Sequence, residues 1–233
     1  PILEESGLQA GKDFNVAYCP ERIDPGNEKW VLGNIPRVVG GFTNEAAVKA
    51  QQFYQTCLDG EITILNSLKS AEAVKILENT FRDINIAFIN EMAKSFDNLG
   101  INLLEVIKGA STKPFGFMPF YPGPGVGGHC IPVDPYYLIE RAKLNGFDHQ
   151  FLHLARKINL SMPNYVVNVV QEELNKLGLS VSGAKVGILG YAYKKSVDDA
   201  RESPAVKVVE LLKKKGADVH IYDPYLPSHS TVG

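Results

Sequence analysis

Cysteine is scarce: Cys19, Cys57 and Cys130 are the only three in 233 residues, far apart and odd in number. That excludes a disulfide scaffold and points to a reducing compartment, read here as the cytoplasm. His129, His149, His153, His220 and His229 show no metal-ligand spacing either, so no metal is assigned. No apolar run approaches the roughly 18 residues of a membrane span, and no signal peptide is recognisable, so neither a membrane nor a secreted form is expected. Charge of one sign is also missing. Lys+Arg total 24 against Asp+Glu 26, and a net charge of −2 gives nucleic acid no broad basic surface. What remains, at 45% hydrophobic and 21% charged, is ordinary globular protein with material for one sizeable core or two small ones.

Short apolar segments at 15–18, 36–40 and 61–65 read as strands, with a helix over 44–57 opened by Thr43 or Asn44. From Ser67 to Gly100 the period becomes helical: Val74, Leu77, Phe81, Ile84, Phe88, Met92 and Phe96 recur every three or four residues. About 30 helical residues span roughly 45 Å, longer than one small domain needs, so this helix is expected to join domains or meet a second subunit. A short helix follows over 102–109, then a loop over 111–133 long enough to count as functional. Helices are expected from Asp134 or Pro135 to about Lys143 and from Phe151 to Leu177, the latter kinked or broken at Met162-Pro163. Val186 to Leu189 read as a buried strand, followed by a helix from Ser203-Pro204 to Lys215 and a strand at DVHIYDP. The fold class is therefore mixed α/β: a central helical domain flanked by parts of two α/β units, divided at 1–66, 67–180 and 181–233.

The chemistry concentrates in YPGPGVGGHCIPVDPYY, residues 121–137. Gly123, Gly125, Gly127 and Gly128 let backbone approach a ligand, while Pro122, Pro124, Pro132 and Pro135 stiffen the path. Cys130, with His129 beside it, is a candidate nucleophile; a buried small hydrophobe is the alternative. Asp134 is a candidate partner or a helix N-cap, and both can hold at once. Lys75 and Asn79, four apart, share a helix face. An ammonium and an amide there can stabilise a developing oxyanion; a solvated ladder of Glu72, Lys75, Glu78 and Arg82 is the alternative. Cys19-Pro20-Glu21-Arg22-Ile23 follows the first strand, where α/β proteins place ligand loops, although Glu21 could equally be a surface carboxylate. Tyr193, Lys194 and Arg201 follow a glycine turn in YAYKKSVDDARESP; cations suit a diphosphate, and the arginine fork suits it best, against the alternative of a solvated basic turn.

Together the cysteine loop, EAVKILENTFRDINIAFINE, CPERI and YAYKKSVDDARESP resemble the UDP-glucose/GDP-mannose dehydrogenase family over nearly the whole chain. The resemblance implies an NAD-dependent, four-electron oxidation of a UDP-sugar at C6 through a cysteine thiohemiacetal and thioester. It places Lys75 and Asn79 at the reacting carbon, Glu21 as the base that activates the hydrolytic water, and Asp134 as the group orienting water or a leaving proton near Cys130. It assigns Arg22, Ile23, Arg82, Gly127, Tyr193 and Lys194 to the nucleotide sugar and Arg201 to the cofactor. It further implies that 1–66 ends a Rossmann-like NAD-binding domain, that 67–180 dimerises through its long helix, and that 181–233 begins a Rossmann-like UDP-binding domain. The family's dinucleotide fold with its glycine fingerprint is expected to lie ahead of residue 1, which makes the chain a fragment. Val133 stands where many UDP-glucose enzymes carry lysine, and STKPFGF at 111–117 resembles the N-acetylglucosamine branch, so a UDP-N-acetylhexosamine is the expected substrate. UDP-glucose, UDP-N-acetylmannosamine and a non-catalytic dimerisation and substrate-clamp role remain alternatives.

Overall fold

The computed structural model describes residues 2–231, which divide into two compact units with the boundary between Glu78 and Asn79. In the first, β1 (Ala17–Tyr18), β2 (Arg37–Gly41) and β3 (Ile62–Leu65) form a sheet in that order, β1 antiparallel and β3 parallel to β2. Helix α1 (Asn44–Gln55) makes the crossover, opened by the Thr43 hydroxyl accepting from the Ala46 amide at 3.1 Å. Val39, Ala46, Ala47 and Ile62 are the buried core beneath it. Gly40 and Gly41 have no room for a side chain: a Cβ there would lie 2.1 Å from the Ser67 carbonyl oxygen and 2.3 Å from that of Thr43.

Helix α2 runs without a break from Leu68 to Asn98, and the boundary between the units falls inside it. Leu77, Phe81 and Phe88 of its apolar stripe are 68%, 46% and 54% exposed. The side chains it buries from Asn79 onward are largely polar: Asn79, Thr80, Asp83 and Asn90, with Ala87 and Ile89.

The second unit adds α3 (Leu103–Ala110), α4 (Asp134–Lys143), α5 (Gln150–Lys176), β4 (Lys185–Leu189), α6 (Pro204–Lys214) and β5 (Asp218–Tyr222). Strands β4 and β5 pair in parallel, Val186 opposite Val219 and Ile188 opposite Ile221, and α6 covers one face with Val208, Val209 and Leu212, backed by Val167 of α5. Two sequence expectations fail here. The β4 strand is not buried: Lys185, Gly187 and Leu189 are exposed and only Val186 and Ile188 turn towards the core. A parallel sheet is buried throughout only when helices cover both faces, and the packing recorded for this pair lies on one. Of the kink or break expected at Met162-Pro163, the break does not occur: α5 is continuous through Pro163, which sits buried inside it. The proline removes the amide that would bond the Asn159 carbonyl.

Candidate active site

In the first unit, the loop after β1 carries Glu21, whose Oε1 accepts from the amides of Arg22 at 2.7 Å and Ile23 at 2.8 Å. Its Oε2 lies 3.7 Å from Nη1 of Arg37, a buried guanidinium at the start of β2. Backbone and cation thus fix a carboxylate that is otherwise half exposed. Arg22 is engaged on three sides: Nη2 and Nε donate to the Glu78 carboxylate at 2.5 and 3.3 Å, and Nη1 to the Pro36 carbonyl at 2.8 Å. Glu78 therefore belongs to Arg22 rather than to a solvated ladder along α2. Lys75 is half-buried and makes no ion pair among the described residues. Nothing in the sequence singled out Arg37.

In the second unit, Asn79 is buried, and its Nδ2 donates to Asp134 Oδ2 at 2.5 Å while its Oδ1 accepts from Arg82. The N-cap expectation for Asp134 is corrected here. Val133 occupies the cap position without a side-chain bond, and Asp134 is the first helical residue, its carboxylate taken by Asn79. The Asp134 amide donates to the Cys130 carbonyl at 2.8 Å, which places Cys130 one turn ahead of α4. Cys130 is an exposed residue, so the buried-filler alternative does not hold. Cys130, Asp134, Asn79 and Arg82 thus form one connected group.

Tyr193 packs against the same loop. A Cβ on Gly127 would lie 2.8 Å from Tyr193 Cβ and from the Glu202 carbonyl oxygen, and one on Gly128 would lie 2.9 Å from the Tyr193 ring. The glycines are required by this close approach, and Gly128 also needs its φ of +84°. The backbone of the 193–203 segment is held in rare conformations, with Ser196 and Glu202 at φ of 60° and 54°. Arg201 forks onto Asp199, Nε to Oδ1 at 3.0 Å and Nη2 to Oδ2 at 2.7 Å, and those bonds hold the Asp199 carboxyl down to about 2. Asp223, buried at the end of β5, accepts from the Tyr191 and Ala192 amides at 2.7 and 2.8 Å and so fixes the turn leading to Tyr193 and Lys194. The Ala192 and Tyr191 bonds hold its carboxyl below the usual range. Neither Asp199 nor Asp223 was singled out by the sequence.

The central-domain description of the UDP-glucose/GDP-mannose dehydrogenase family matches residues 69–161, and that family's UDP-binding domain matches residues 187–232. The chain belongs to the UDP-glucose/GDP-mannose dehydrogenase family. It is 42% identical over 214 residues to the UDP-N-acetyl-D-mannosamine dehydrogenase of Methanococcus maripaludis, covering 92% of this chain and 48% of that one. It is 38% identical over 233 residues to the UDP-N-acetyl-D-glucosamine 6-dehydrogenase of Pseudomonas aeruginosa, covering 55% of it. The solved UDP-D-ManNAc dehydrogenase of Pyrococcus horikoshii superposes with a TM-score of 0.91 at 40% identity, over 100% of this chain and 54% of that one. The chain therefore spans about half the length of the relatives it matches. The central-domain match runs from α2 into the first part of α5 and includes Asn79, Cys130 and Asp134; the UDP-binding match runs from within β4 through α6 and β5. No helix among the described residues is long and apolar enough to cross a membrane.

Proposed function

We propose that this chain carries the thiol chemistry of a UDP-N-acetylhexosamine 6-dehydrogenase acting in surface-polysaccharide precursor synthesis. The observation that carries the reading is the connected group in the second unit: an exposed Cys130 whose carbonyl is bonded to Asp134, whose carboxylate is bonded to buried Asn79. The sugar's C6 alcohol loses a proton and a hydride to become an aldehyde. NAD would supply the hydride acceptor, and Arg201, exposed and held by Asp199 through Nε and Nη2, is the cation here suited to the cofactor's diphosphate through its remaining N–H groups. The Cys130 sulfur adds to the aldehyde carbon, forming the thiohemiacetal, while Asn79 and Lys75, one turn apart on α2, hold the oxygen. A second NAD would accept the second hydride, and with loss of the hydroxyl proton the thiohemiacetal becomes a thioester. Water deprotonated by Glu21 or Asp134 then releases the uronic acid and the thiol. Arg22, Ile23, Arg82, Gly127, Tyr193 and Lys194 bind or frame the nucleotide sugar, Arg22 and Gly127 from positions already fixed by their neighbours.

The mixture of mannosamine and glucosamine enzymes among the relatives supports an N-acetylated sugar. Val133 favours an N-acetylhexosamine over glucose, and the STKPFGF segment favours N-acetylglucosamine among these. The three-part domain reading, a cytoplasmic location and a homodimer through α2 belong to the same proposal.

Cys130→Ser tests it in the full-length protein. Complete oxidation to the acid should be lost while the nucleotide sugar still binds, because a hydroxyl without an adjacent base is a poor nucleophile. Acid formation at the parent rate would remove Cys130 from the mechanism.

A further inference from the structure

A buried polar chain joins α2, α5 and the cysteine loop. Asp83, Arg156, Asn159 and Asn90 are 1%, 4%, 1% and 0% exposed. Arg156 Nη1 donates to Asp83 Oδ1 at 2.5 Å, and Asn159 Nδ2 donates to the same oxygen at 2.9 Å and to the Asp83 carbonyl at 3.0 Å. Asn159 Oδ1 accepts from Asn90 Nδ2 at 3.0 Å, and Asn90 Oδ1 accepts from the Gly123 amide at 2.9 Å. Each amide side chain spends its donor towards the carboxylate and its acceptor towards the loop, so the chain has one direction. It ends on backbone seven residues before Cys130.

Two further contacts bear on the same loop. A Cβ on Gly125 would lie 3.2 Å from the Asn159 carbonyl oxygen, the group that Pro163 leaves without its helical donor. On the far side of Cys130, the Arg156 guanidinium stands 5.7 Å from the ring centroid of Tyr136 in α4. Stability does not require such an arrangement. Burying an ion pair, with Arg156 Nε left unpartnered, gains little over apolar packing, although removing one partner alone is costly.

We propose that the Asp83–Arg156–Asn159–Asn90 chain positions the cysteine loop, and that Asn90 is the positioning residue that sets Cys130 through the Gly123 amide. The inference rests on Cys130 being the nucleophile. Asp83 and Asn90, seven residues apart, occupy one face of α2 two turns apart, and Asn79 holds Asp134 from the same helix. Both the segment before Cys130 and the carboxylate after it are thereby referred to one rigid rod, which fixes the thiol without a contact to the thiol itself.

The test uses the full-length protein. In the parent, hydrogen exchange at single-residue resolution should find the Gly123 amide as slow as core amides of α2 and α5, although it lies in a loop. Exchange at the rate of free chain would overturn the proposal without any variant. Asn90→Ala and the milder Asn90→Ser should release that amide and lower kcat about 10- to 100-fold, with KM for the nucleotide sugar changed less than about threefold. Cys130→Ser, run in parallel, separates the two failures. If that variant still forms acid, the nucleophile reading fails and this inference with it. If it does not, but the Asn90 variants keep kcat and loop protection, only the positioning role fails.

Discussion

Asn79 and Asp134 show how one bond decides a residue's role. At 2.5 Å the amide of a buried asparagine donates to the carboxylate, so the carboxylate cannot turn back to cap its own helix. Asn79→Asp would set two carboxylates against each other in a largely desolvated site. Urea unfolding should show a loss of about 1–3 kcal/mol, and Asp134→Asn in the same chain should recover much of it. An undiminished midpoint for the single variant would mean that the contact carries no energy. Asp223 gives a pH signature. Its carboxyl is held below the ordinary range by the Ala192 and Tyr191 amides, so its stabilisation is complete above about pH 4 and is lost as pH falls through the depressed value. Asp223→Asn should therefore lower the unfolding midpoint at pH 7, and the difference from the parent should shrink as the solution is made strongly acidic. A constant difference down to pH 2 would contradict that cause.

Helix α2 serves two surfaces of different chemistry. Asn79, Asp83 and Asn90 face inward, while Leu77, Phe81 and Phe88 stand exposed. A two-fold pair of such helices would cover the apolar side symmetrically. Phe88→Glu should shift sedimentation of the full-length protein towards monomer, and an unchanged dimer would place the interface elsewhere. Strand β4 makes the complementary point. Its sequence KVGIL reads as a core strand because Val186, Gly187, Ile188 and Leu189 form an uncharged run, yet Leu189 is 85% exposed. Adjacent strand residues point to opposite faces, so an apolar run is buried throughout only when both faces are covered.

For the whole molecule, the sharpest expectation concerns the sugar. A pocket that bonds an acetamido group leaves polar groups unpaired when glucose replaces it, at about 1–3 kcal/mol per lost bond. kcat/KM for UDP-N-acetylglucosamine should exceed that for UDP-glucose by roughly 5- to 150-fold, with UDP-N-acetylmannosamine measured alongside. A preference for glucose would overturn the branch assignment and leave the Cys130 chemistry standing. The sequence by itself determined the order of the main helices and strands, the long helical span between Ser67 and Gly100 and the segments that carry the candidate groups. Those follow from periodicity, glycine and proline, which act over a few residues and need no partner. Tertiary structure decided which groups hold which. Arg22 closes on Glu78, 56 positions away, Asn79 on Asp134, 55 away, and Asp83 on Arg156, 73 away. Pairings at such separations are set by where folded elements bring side chains within about 3 Å, and local pattern carries no record of that distance.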